Sequence, residues 1–392
     1  MATPGAMEHM YRAITVVHPV RILFVSRPGS AGWPRNSVRF RVVKKGNAMG
    51  IPEIVRRLLR IISWEIVRLA LALVLSASWA WAQSPNATAQ RIDTLMEQAA
   101  RGDAKAQANL GMAFHIAQGV PQDDAKAAFW WSKAAEQGDA DAQTNLGFAY
   151  GTGHGVPQDY VQSAFWWQKA ADQGYAPAQY NLGLMYLTGT GVSSDHALGI
   201  TWICKAADQG NADAQGQLAS LYYKGVGVTQ DYAVAAMWWR KAAEQGDADS
   251  QYNLGHAYYD GQGVPQSHAK AALWWRKAAE KGNVSAQHNL GALYVSGQGV
   301  PENKVQAAFW YRKAAEQGEA DAQYKLGLMY DLGRGVPRDI VEAYFWYALA
   351  AEGQQMDAAK YRDDAASHLK PVDLTRAQER VRRWFEDHPP KP

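Results

Sequence analysis

One cysteine, Cys204, stands in 392 residues. No disulfide can form within the chain, so its order has to come from packing rather than from staples. Catalytic signatures are scarce as well. There is no H-E-x-x-H among the ten histidines. Ser267-His268-Ala269-Lys270 spells S-x-x-K, but neither Lys-Thr-Gly nor Ser-Asp-Asn accompanies it. Gly-x-Gly pairs recur, yet none follows a strand, which removes the context a nucleotide-binding loop needs. A large charge of one sign is missing too. The net +3 divides into +9 over residues 1–82 and −6 over residues 83–392, with the acids spread along the chain. Without a basic stripe there is no footprint for nucleic acid. No metal and no cofactor are expected.

What is present is a period. Trp130, Trp166, Trp202, Trp238, Trp274, Trp310 and Trp346 follow one another at 36 residues without an insertion. A period of about 20–50 residues marks a stacked solenoid, in which neighbouring units share one elongated core.

Ahead of the repeats, residues 56–82 read as an export signal. Arg56, Arg57, Arg60 and Arg68 form a basic flank, and the uncharged run Leu69 to Ala82 is fourteen residues, short of the roughly 20 that span a bilayer. Ala80-Trp81-Ala82 fits a signal-peptidase site, with cleavage after Ala82 and export to the periplasm expected. An uncleaved segment would be the only membrane attachment. Met49 places this segment at an ordinary distance from a start, so residues 1–48 are expected to be an over-long gene start or unstructured.

Within a repeat, Asp139 follows Gly138 and suits an N-cap. A first helix, A, then carries Ala142, Leu146, Gly147 and Tyr150 at helical spacing, and Gly153-His154-Gly155-Val156-Pro157 breaks it. Asp159 caps the second helix, B, and the corresponding residues are Asp123, Asp195, Asp231, Ser267, Asn303 and Asp339. A capping serine therefore accounts for Ser267. Gly174 suits a left-handed helix end. Core leucines recur at 110, 146, 182, 218, 254, 290 and 326, each followed by a small residue. The seven repeat tryptophans are expected in the core, and their successors Trp131, Trp167, Trp239, Trp275, Tyr311 and Tyr347 partly exposed.

The pattern A-x-x-N-L-G-x-x-Y-x-x-G-x-G-V, then D-x-x-x-A-x-x-W-x-x-K-A-A-x-x-G, resembles the Sel1-like repeat, a member of the tetratricopeptide-like superfamily, in its disulfide-free branch. The resemblance implies an all-α, right-handed α/α superhelical solenoid of seven 36-residue repeats over 103–353. Capping helices are expected near 87–101, within a linker-and-cap segment 83–102, and near 355–369 and 373–386 within 354–392. Asp373, after Pro371, is the expected cap of the last.

The resemblance also implies that helix A lines a concave groove. Asn109, Asn145, Asn181, Asn253 and Asn289 stand just before the core leucines, with Gln217 and Lys325 in the other two copies. An amide both donates and accepts, so a spaced row can bracket an extended peptide backbone. The alternative is that each amide bonds the neighbouring repeat's loop. Phe148, Tyr180, Leu184, Tyr223, Tyr252, His256, Tyr259 and Tyr324 are expected beside the row as anchors. The expected function is a non-enzymatic, monomeric envelope scaffold or adaptor that binds a protein or peptide. The other readings are a β-lactam or peptidoglycan hydrolase acting through Ser267 and a secreted, host-directed virulence factor.

Overall fold

A computed structural model describes residues 85–388, and the expected gene start, export segment and cleavage site lie outside them. The described residues form seventeen helices and no strand. Helix α1 is Pro85–Ala100. Seven A/B pairs follow: α2 Ala104–His115 with α3 Asp124–Glu136, α4 Ala140–Thr152 with α5 Tyr160–Asp172, α6 Ala176–Thr188 with α7 His196–Asp208, and α8 Ala212–Lys224 with α9 Tyr232–Glu244. The last three pairs are α10 Ala248–Asp260 with α11 His268–Glu280, α12 Val284–Ser296 with α13 Lys304–Ala315, and α14 Ala320–Leu332 with α15 Ile340–Glu352. Helices α16, Ala358–Ser367, and α17, Pro371–Asp387, complete the fold. Each helix packs chiefly on its chain neighbours, and α17 lies back on α15. This is an α solenoid of the expected kind.

The helix starts follow the cap chemistry. Asp139 accepts the Ala142 amide at 2.8 Å, Asn211 that of Ala214 at 2.8 Å and Asp247 that of Ser250 at 2.7 Å. All seven expected B-helix caps accept a first-turn amide, Ser267 from Lys270 N at 3.4 Å among them. The Ser267 hydroxyl is thus occupied in ending a loop, and the Lys270 ammonium lies over the Tyr258 ring at 5.1 Å. Tyr175, at the A-helix cap position of the third repeat, makes no capping bond; its hydroxyl donates instead to Asp141 of the repeat before. Lys105 also holds Asp141. The hydrogen bond from Lys105, then that from Tyr175, keeps the Asp141 carboxyl below its usual range.

The paired glycines of the A–B loops, present in six of the seven repeats, do two different jobs. Gly261 is the left-handed residue that ends α10, at φ +76. Gly263, at φ +71, passes so close to the preceding repeat that a Cβ there would lie 2.0 Å from the Tyr232 carbonyl oxygen. In the first repeat Ala117 fills the position of the first glycine and is held at φ 56, a conformation that costs a non-glycine residue about 1–2 kcal/mol.

The core leucines are at most 2% exposed, each contributing roughly 1.5–3 kcal/mol by burial. The tryptophan expectation needs correction. Trp202, Trp238, Trp310 and Trp346 are buried as expected, but Trp130, Trp166 and Trp274 are only half-buried; of their successors Trp167 alone is half-buried, whereas Trp131, Trp239, Trp275, Tyr311 and Tyr347 are buried. The second ring is the deeper because it lies on the small residue of helix A: a Cβ on Gly255 would come 2.4 Å from Trp275 Cδ1. The first ring sits nearer the edge, where the lysine of Lys-Ala-Ala covers it. Lys205, Lys241 and Lys277 stand 4.0, 3.9 and 4.2 Å from the ring centroids of Trp202, Trp238 and Trp274, a cation–π arrangement.

The C-terminal helices differ in detail from expectation. Asp373 does not cap α17. Pro371 opens that helix, since its fixed φ and missing N–H suit the first helical position, and Asp373 falls within the first turn. The Arg380 guanidinium lies 3.8 Å from the centroid of Phe345 and pairs with Glu342, fastening α17 to α15.

Candidate functional site

An A helix turns its leucine into the stack, and the preceding residue stands about 100° round the axis, at the edge of the buried stripe. Asn109 is exposed there, and Asn145, Asn181, Asn253 and Asn289 are half-buried. Among the described residues none of the five side-chain amides forms a hydrogen bond, so the alternative in which they tie neighbouring loops together is not what the fold does. Five amides at one register position are left available to solvent.

The anchors divide by position. Phe148 is 43% exposed and borders His115 and His154, at centroid distances of 6.4 and 6.1 Å. Tyr180 and Leu184 are half-buried against the central core. Burial first, then the negative charge of Asp213 and Asp247, raises the Tyr180 hydroxyl above its ordinary pKa. Tyr259 stacks on His268 at 4.9 Å. Tyr324 departs from expectation: it is 7% exposed, because Tyr361 of α16 meets it edge-on at 5.5 Å. Tyr324 therefore belongs to the packing of the capping helix rather than to an open face.

Tyr223, Tyr252, Asn253 and His256 come together. With Ser220 and Lys224 they line a cavity of about 330 Å³ between α8 and α10, floored by Trp239. The Tyr223 and Trp239 rings are 5.2 Å apart, and those of Tyr252 and His256 are 5.7 Å apart. Asp260 Oδ2 holds His256 Nδ1 at 3.1 Å.

A second amide column escaped the sequence reading. Gln107, Gln143, Gln179, Gln215, Gln251, Gln287 and Gln323 are all buried. Each donates through Nε2 to a carbonyl near the end of the preceding helix: Gln143 to Ala135 O at 3.1 Å, Gln179 to Ala171 O at 3.1 Å, Gln251 to Ala243 O at 3.0 Å. In five repeats the glutamine at the end of the same repeat's B helix donates to its Oε1, as Gln209 does to Gln179 at 2.7 Å. Three helices are joined through one buried side chain. Lys281 replaces the donor in the fifth repeat, and Gln251 Oε1 is left buried without a partner. The signal was in plain view: this glutamine appears in all seven copies, more regularly than the asparagine.

Comparison with known proteins bears on these surfaces. A family model described as Sel1 repeat matches residues 104–139, 140–175, 176–211, 212–247, 248–283, 284–319 and 320–354. A Sel1 repeat protein from Oxalobacter formigenes is 36% identical, over 72% of this chain and 82% of that one, with a TM-score of 0.57. A protective antigen of uropathogenic Escherichia coli with an SLR fold is 31% identical, over 76% and 79% of the two chains, with a TM-score of 0.47. No curated protein matches.

Proposed function

Since the chain belongs to the Sel1 repeat family, whose members generally act as protein–protein interaction scaffolds, we propose that it holds an extended segment of a partner protein along the outward face of its A helices. One observation carries the reading: Asn109, Asn145, Asn181, Asn253 and Asn289 keep one register and spend none of their hydrogen-bonding capacity on the fold. Packed helices lie about 8–10 Å apart, and an extended chain advances about 3.3 Å per residue. An amide recurring once per repeat thus meets the backbone of about every third residue of such a segment. Side chains between those points reach Phe148, Leu184 and the cavity beside Tyr223.

Changing Asn145, Asn181 and Asn253 together to alanine should lower partner affinity by about 100-fold, if each amide contributes about 1 kcal/mol net. Quantitative capture of envelope proteins by the wild-type and triple-variant chains checks this, and partners retained equally by both would refute it. The place of action we propose is the periplasm, reached through residues 49–82. Mass spectrometry of the protein from the periplasmic fraction should find Gln83 at its amino terminus; a mature chain that retains residues 1–48 would contradict it.

A further inference from the structure

We infer that the cavity between α8 and α10 takes an acidic side chain of the bound segment, an assignment that rests on the groove reading above. The fourth repeat keeps the stacking residues of its neighbours and changes those that face outward. Gln215, Leu218 and Ala219 are buried as in the other copies. Two residues after the core leucine, however, Ser220 replaces the Phe148, Leu184 and His256 of other repeats, and two before it Gly216 replaces Thr144, Tyr180 and Tyr252. No other repeat is small at both places, and the cavity opens beside Ser220, where the bulky side chain of the other copies is missing.

The same helix supplies a charge. Lys224 is the only basic residue in the column six places after the core leucine, where Thr152 and Thr188 stand in the second and third repeats. It lines the cavity, is exposed, and makes no ion pair among the described residues. The Asn253 amide and the Tyr223 and Tyr252 hydroxyls are also without hydrogen-bond partners there. The neighbouring acid, Asp260, is engaged by His256 at 3.1 Å. Asp213 lies at the other end of α8, about 16 Å away at 1.5 Å per residue. An ammonium with neutral donors around it matches a carboxylate, which accepts through both oxygens. The asparagine row continues on both sides, with Asn145 and Asn181 before and Asn253 and Asn289 after. The segment therefore passes through the cavity, and the carboxylate belongs to an internal Asp or Glu rather than to a chain end.

The test is selection of phage-displayed random linear dodecamers on the purified full-length chain, followed by titration of the best peptide in synthetic form. Selected sequences should share an Asp or Glu at one position. Lys224→Thr, which installs the residue of the second and third repeats, should weaken the peptide about tenfold, the effect of losing one charged hydrogen bond, while leaving the thermal melt in place. The peptide with its acid changed to the amide should lose as much on the wild-type chain and be indifferent to Lys224→Thr. Peptides that lack a shared acid, ignore Lys224→Thr, yet are lost on the Asn145/Asn181/Asn253 triple variant would overturn the cavity assignment and leave the groove standing. Peptides that bind only through a free terminal carboxylate would overturn the internal-residue assignment. A selection that yields no binder, or binders unaffected by the triple variant, would remove groove and cavity together.

Discussion

Replacing Gly263 by alanine is expected to cost the stack about 2–5 kcal/mol and to split its unfolding into two transitions. The methyl group would meet the Tyr232 carbonyl oxygen at 2.0 Å, its carbon at 2.2 Å and Ala233 N at 2.6 Å, all of them backbone. None can swing aside as a side-chain tip would, so the loop of the fifth repeat has to lift from the start of α9 in the fourth. The left-handed φ adds its own penalty. Gly261→Ala is the matched control: it carries the same handedness, but its Cβ would meet Gln266 Cβ at 3.1 Å, leaving chiefly the φ penalty of about 1–2 kcal/mol. In a stack coupled only through nearest neighbours, loosening one interface lets the two sides unfold separately. Urea titration followed by helical circular dichroism will show this. Equal losses for the two variants, in a single transition, would mean that the close approach contributes nothing.

Gln179→Ala should destabilise by about 2–4 kcal/mol. The side chain is 4% exposed and donates to Ala171 O while accepting from Gln209. Its removal leaves a void where α5, α6 and the end of α7 meet and strands a donor at the void's edge. Asn181→Ala, two residues along the same helix, removes an amide with no partner and should fall within about 0.5 kcal/mol of wild type. The two midpoints in urea decide the matter. If they coincide, the buried relay is not holding the repeats together.

These two amides also show what was legible. Period, helix order, cap residues and core leucines could be read directly, because a fixed spacing repeats every local rule seven times. The division of labour between Gln179 and Asn181 could not be read that way. Polar residues on an amphipathic helix read as surface, and a buried glutamine is recognisable only by a partner on another helix. The same limit misplaced the paired aromatics. Trp274 and Trp275 are chemically equal, and only the proximity of Gly255 makes the second the deeper. Tyr324 matched its groove counterparts in the linear pattern, but α16 covers it, and a position within the period does not say which side chain a capping helix will land on. The cavity was half legible: Tyr223, Tyr252, Asn253 and His256 stand at expected groove positions, whereas Ser220 and Lys224 acquire meaning only when the fold shows what they line.

The last two helices have a consequence for assembly. One end of any repeat is shaped to accept the other end of an identical repeat, which is a head-to-tail interface, and such an interface adds units without closing. An open terminal face would therefore invite other molecules to join as filaments. At the carboxyl-terminal face Tyr361 lies over Tyr324, and Arg380 covers Phe345 while gripping Glu342. Helices α16 and α17 thereby cover the carboxyl-terminal face of the stack, where a further repeat would otherwise pack.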